Sequence, residues 1–263
     1  MSGFSTSSMV GAEPSSAFLI LASLTKVVAT LPSVLHLVAA GELDLDRPLR
    51  DYFSNIGSGQ EPSLATATPR QLLSHSAGLP AFSRVHTVTR DRLVALAATL
   101  QTPLREQPGG HALYSDVGFM LLGALSERLS GLRLDRFAEQ EVFGPLGMTE
   151  THFNPLDAEP RPAVYAATEH CDWRNRLLAG EVHDENAYAW GGVAGHAGLF
   201  GSAGDLAVYA RAWLENDARL GPAELLDDAR HGHARSADGE LRGLGWLLGP
   251  ARLSAGRPGF GHT

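Results

Sequence analysis

Apolar positions crowd most densely over residues 17–40 (AFLILASLTKVVATLPSVLHLVAA), where nearly every face of a helix is hydrophobic. Such a run suits either a membrane span or the buried centre of a large domain. Lys26 and His36 lie inside it, Pro32 interrupts it, and no Lys or Arg precedes it to form a signal-peptide n-region. The pattern predicts a core helix, bent at Pro32 and closed by Gly41.

Further along, the pattern alternates between helices and loops. Thr68-Pro69 predicts a capped helix start that carries Leu72 and Leu73 into SHSAGLP. Residues 90–100 predict another helix. A third is predicted after Tyr114-Ser115-Asp116, with Val117, Met120, Leu121, Ala124 and Leu125 on one face and Gly131 at its end. Ser202 and Asp205 open a fourth, whose stripe is Leu206, Tyr209, Ala210, Trp213 and Leu214. Strands are few, and GLGWLLG at 243–249 is the best candidate. Residues 1–17 read as a short irregular segment, and 18–263 as one domain.

Composition narrows the class. The 263 residues are 44% hydrophobic and 19% charged, enough to bury a core and inconsistent with wholesale disorder. A net charge of -8 without any basic run argues against a nucleic-acid partner. One cysteine, Cys171, rules out an internal disulfide framework and a Cys-based zinc cluster. Lys26 is the only Lys in a chain whose other basic residues are all Arg. Arg stays protonated in proteins, whereas a buried Lys can give up its proton.

That Lys belongs to Ser23-Leu24-Thr25-Lys26, an S-x-x-K pattern. On a helix the first and fourth positions share a face about 5–6 Å apart, so the hydroxyl can meet the amine. A serine hydroxyl is a weak nucleophile without an adjacent base. A Lys in apolar surroundings can serve as one. Tyr114-Ser115-Asp116 lies some way downstream, and a Tyr beside a Lys ammonium can pass a proton to a leaving group. The chain closes on Gly261-His262-Thr263.

In this order the three elements resemble the serine β-lactamase and penicillin-binding-protein superfamily, in its class C-like branch, which carries S-x-x-K, Y-x-N and K-T-G or H-T-G. Similar segments include QLLSHSAGLP, YSDVGFMLLG, VFGPLGMTETHF and GEVHDENAYAWGGVAGHAGLFGSAGDLA, the last resembling D-alanyl-D-alanine carboxypeptidases. The resemblance implies an α+β, transpeptidase-like fold, present here mostly as its helical part with an incomplete antiparallel sheet. It implies Ser23 as acylated nucleophile, Lys26 as general base and Tyr114 as proton donor to the leaving group. Asp116, standing where Asn is common, and His262 and Thr263 would face the substrate. The implied activity is a serine hydrolase acting on D-Ala-D-Ala peptides, β-lactams or short esters, with no cofactor or metal. The partner implied is a small-molecule or peptide substrate, with no transmembrane segment.

Two departures set further expectations. The third motif stops at Thr263 before its closing Gly, and only about 20 residues precede S-x-x-K. The chain is therefore expected to be a piece of the domain, poorly stable and impaired in activity, because unpaired strands leave open edges. As it stands it reads as cytoplasmic, and a leader upstream would make it an exported protein. Two alternatives remain at this stage. One is a non-catalytic relic that binds peptidoglycan peptides or β-lactams. The other is a metal-dependent hydrolase using His183, Asp184, Glu185 and His196, with His170, Cys171 and Asp172 nearby, although no metal-ligand spacing is matched. The Gly-rich run at 191–198 lacks the features of a phosphate loop and is expected to pack closely beside a cleft.

Overall fold

The computed structural model describes residues 18–57, 59, 62–154, 165–249 and 259–262. Its axis is the apolar run predicted above, a helical segment from Ala22 to Ala39. The segment begins after strand β1 (Leu19–Ile20) as a 3-10 turn over Ala22–Leu24, becomes a π-helix over Lys26–Thr30, and continues as helix α1 (Leu31–Ala39). The change of register has a local cause. Pro32 has no N–H to give, so the turn before it loosens, and Leu31 N–H reaches back to Lys26 O. The segment is apolar enough to cross a membrane, with mean hydropathy 1.4, yet 67% of it is buried inside the protein. Gly41 follows in the left-handed conformation that only glycine adopts freely.

The other helices are α2 (Pro69–Leu73), α3 (Arg92–Leu100), α4 (Asp116–Ser130), α5 (Leu134–Ala138), α6 (Gly144–Leu146), α7 (Glu185–Ala189), α8 (Ala203–Leu214) and α9 (Ala223–Ala229). Several helix starts are capped by side chains, at Thr68 and Ser202 as predicted. Thr68 and Gln71 make a reciprocal capping box at α2, Asp91 caps α3, and Ser115 caps α4, which ends at left-handed Gly131. At α8 Ser202 accepts from Asp205 N–H, but the Asp205 carboxylate turns away to Glu150 N–H and the Thr151 hydroxyl. On that helix Tyr209 and Trp213 are buried while Leu214 is exposed, so half of the predicted stripe faces outward.

The remaining strands are β2 (His152–Phe153), β3 (Ala167–Cys171), β4 (Arg176–Ala179), β5 (Leu199–Gly201), β6 (Ala234–Arg235), β7 (Leu241–Arg242), β8 (Leu247–Leu248) and β9 (Phe260–Gly261). They form three small antiparallel sheets in the orders β1-β5-β2, β3-β4 and β6-β7-β8-β9, giving the expected mixed α+β architecture. The predicted strand at 243–249 shrinks to β8. Gly243 N–H bonds to Trp246 O, and Gly245 has positive φ, so its first half is a hairpin turn. The rings of Trp213, Trp246 and Phe260 meet at steep angles with centroids 5.0–6.1 Å apart and anchor β8 and β9 to α8. Cys171 is a buried free thiol at the end of β3.

Candidate active site

Ser23 and Lys26 occupy successive turns of the central segment, at the end where β1 delivers it. Leu21 N–H bonds to Leu199 O, and Ala22 then takes a left-handed φ of 45°, which swings the chain from strand into helix. The Thr25 hydroxyl donates to Ala22 O and accepts from Leu199 N–H, pinning this corner to β5. Ser23 remains partly exposed while Lys26 is fully buried.

Lys26 Nζ donates to Ser23 Oγ at 3.1 Å and to His196 O at 3.1 Å, and lies 2.7 Å from Asp116 Oδ1. Three acceptors thus surround a group with three N–H bonds to offer. Asp116 is the first residue of α4, where a carboxylate also interacts favourably with the helix N-terminus. Sequence reasoning placed Asp116 as a substrate contact, whereas here its carboxylate is committed to Lys26.

The Tyr114 ring lies 4.9 Å from Lys26 Nζ, and its hydroxyl is 3.4 Å from His262 Nε2. His262 follows β9 directly, and β9 pairs with β8 through Leu247↔Gly261 and Leu248↔Phe260. A bond from Ala112 N–H to Arg235 O joins the Tyr114 segment to the same sheet. Three of the predicted site residues, Ser23, Tyr114 and Asp116, therefore meet around Lys26, with His262 reached through Tyr114. Thr263 lies outside the described residues.

The Gly-rich run packs as expected. A Cβ on Gly195 would fall 2.0 Å from Phe119 O, and one on Gly123 would fall 2.8 Å from Gly195 Cα. Backbone therefore meets backbone between α4 and the loop, which lets the loop bring His196 O to Lys26 and Gly195 O to the Thr30 hydroxyl. The candidate metal ligands do something different. His196 Nε2 pairs with Asp184 Oδ1 at 2.9 Å, and His183 pairs with Glu169 at 2.7 Å. Among the described residues no three His, Cys, Asp or Glu side chains converge on one point. Burial opposes ionisation of Asp184, but the charge of His196, its hydrogen bond and the Ala187 N–H outweigh this and hold the carboxyl well below its ordinary range.

The chain has known relatives. The family described as β-lactamase matches residues 13–263. The chain belongs to the β-lactamase family. An Escherichia coli (strain K12) relative, provisionally named D-alanyl-D-alanine carboxypeptidase, is 34% identical over 92% of this chain and 63% of its own length. The chain thus spans less than two thirds of the curated relatives it matches. Among solved structures, the octameric penicillin-binding protein homologue from Pyrococcus abyssi superposes with a TM-score of 0.77 at 22% identity, over 94% of this chain and 56% of its own. A β-lactamase/D-alanine carboxypeptidase from Pseudomonas syringae gives 0.68 at 22% identity, over 90% and 62%. These two likenesses establish the β-lactamase fold.

Within this β-lactamase-family site, sequence reasoning missed His75. It is buried, its ring lies 4.6 Å from that of Tyr114, and its Nδ1 accepts from Ser115 N–H at 3.0 Å. Burial first, then the charges of Lys26, Arg242 and His262, keep it neutral, well below the usual 6.5. The only signal in the sequence was the segment SHSAGLP, which had no spacing relation to S-x-x-K.

Proposed function

We propose that this chain carries the acyl-transfer site of a serine hydrolase acting on peptides that end in D-Ala-D-Ala. The observation that carries the reading is the contact of the buried Lys26 amine with the Ser23 hydroxyl at 3.1 Å. The similarity to a relative provisionally named D-alanyl-D-alanine carboxypeptidase supports the substrate class.

In this reading Ser23 Oγ attacks the scissile carbonyl carbon and its proton goes to Lys26. An ammonium donating to three acceptors has no lone pair, so one N–H must first be given up. The Asp116 carboxylate, at 2.7 Å, is the nearest acceptor. Collapse of the tetrahedral intermediate breaks the C–N bond, and the leaving amine takes a proton through Tyr114, which stands against Lys26. Water then hydrolyses the ester on Ser23 by the reverse proton route. The Ser23 backbone N–H serves as one donor to the developing oxyanion.

The test is mass spectrometry of the intact protein after incubation with a fluorescent penicillin, alongside assay of D-alanine released from a D-Ala-D-Ala tripeptide. The expected result is a single adduct on Ser23 and released D-alanine, both abolished in Ser23→Ala. A lasting adduct with no released product would indicate a binding relic. Absence of any Ser23 adduct would defeat the acyl-enzyme reading.

A further inference from the structure

On one side the segment bearing Tyr114 is held by the stretch from His75 to Ala81. Leu113 N–H bonds to His75 O at 2.9 Å, and Ser115 N–H to His75 Nδ1 at 3.0 Å. The Ser115 hydroxyl bonds to Pro80 O at 2.7 Å, and Asp116 N–H to Ala81 O at 2.8 Å. His75 thus grips the backbone on both sides of Tyr114 while its ring lies against the phenol on one side and Phe119 on the other.

His75 is a poor choice for stability alone. At its left-handed φ of 60° His is tolerated better than an apolar side chain would be, but its ring carries a separate cost. With Nδ1 accepting, the neutral ring carries its proton on Nε2, a buried atom that meets no partner among the described residues. An unmet buried donor is a cost that an apolar side chain would avoid. What an apolar side chain would lose is the bond to Ser115.

We propose that His75 is a positioning residue for Tyr114, holding the phenol in register with Lys26 so that it can protonate the leaving group. This rests on the acyl-transfer reading above. A protonated ring could not accept from Ser115 N–H, so the neutral state in which burial holds His75 is the one the role requires.

The experiment compares two acyl donors with the same enzyme: an N-acyl D-Ala-D-Ala peptide, whose amine leaving group needs a proton, and a p-nitrophenyl ester, whose phenolate does not. In His75→Leu, kcat/KM for the peptide is expected to fall about 10- to 100-fold, part of what a positioned proton donor supplies. The ester kcat/KM, which reports acylation alone, is expected to stay within about threefold. In His75→Asn the side-chain oxygen replaces Nδ1 as acceptor and Asn tolerates the left-handed backbone, so the peptide-to-ester ratio should recover. Peptide and ester rates falling together in His75→Leu, or a ratio that His75→Asn leaves unrescued, would overturn the proposal.

Should wild-type protein acylate neither donor, the functional reading fails and a separate readout judges His75. With 13C-labelled tyrosine, the Tyr114 ring signal should be single and sharp in wild type and His75→Asn. It should shift or broaden in His75→Leu, and an unchanged signal there would overturn the positioning role.

Discussion

Lys26 Nζ lies 2.7 Å from Asp116 Oδ1, joining the buried turn of the central segment to the first residue of α4. The two partners differ sharply in environment, since the Lys26 side chain is wholly buried while that of Asp116 retains 25% exposure. The pair therefore compensates a charge that has no access to water, and it does so at the mouth of the site.

Removing the anion should be costly. Asp116→Asn preserves the acceptor oxygen but leaves the Lys26 charge without its counter-ion and strips a carboxylate from the α4 N-terminus. A loss of about 1–3 kcal/mol in stability is expected, below the figure for fully buried pairs because Asp116 is partly solvated. Urea denaturation at neutral pH measures it, and an unchanged midpoint would contradict the inferred role of the pair.

Replacing the amine tests the base. Lys26→Arg keeps a cation beside Asp116 but supplies a group that does not deprotonate in proteins. Acylation of Ser23 by a fluorescent penicillin should slow by about 10²–10⁴-fold. Stopped-flow or quench assay reads the rate, and labelling at the wild-type rate would exclude Lys26 as base.

Backbone contact between α4 and the Gly-rich loop leaves no space for a methyl group. Gly195→Ala would drive a Cβ to 2.0 Å from Phe119 O, and backbone cannot rotate aside as a side chain can. Destabilisation of about 1–3 kcal/mol or more is expected. Acylation should slow as well, because His196 O moves with the loop. Thermal melting and penicillin labelling of the same sample check both outcomes, and a stable, fully active variant would refute the packing argument.

Stability should fall on the acid side of neutrality. Burial lowers the pKa of His36, His75 and His152 relative to the usual 6.5, with the charges of Lys26, Arg242 and His262 adding to the effect at His75. A neutral imidazole in the folded state means that the unfolded chain binds more protons below that value. Their contribution is complete above pH 6.5 and declines as pH falls toward the folded-state values. Asp184 adds a further loss below its ordinary 3.8, because its folded form holds the charge. Denaturant midpoints should hold nearly level from pH 7.5 to about 6.5 and decrease from there to pH 5, with a smaller slope in His75→Asn, and a flat profile below pH 6.5 would contradict this account.

Which features were readable in advance depended on the range of the interactions behind them. The caps at Thr68 and Ser202 form within a few residues, so the chain pattern announces them. The Ser23–Lys26 contact is similar, since a helical turn brings those positions together wherever the helix lies. The strand at 243–249 was misjudged because its glycines permit a turn that alternation alone cannot reveal.

Local order along the chain thus determined the core segment, the helices at 69–73, 92–100, 116–130 and 203–214, and the contact of Ser23 with Lys26. Only folding decided that Asp116 would serve Lys26, that His196 would lend it a carbonyl, and that His75 would brace Tyr114. Those contacts join residues 40 to 170 positions apart. No local rule relates such positions, and they meet because Gly123 and Gly195 let α4 and the loop close on the central segment.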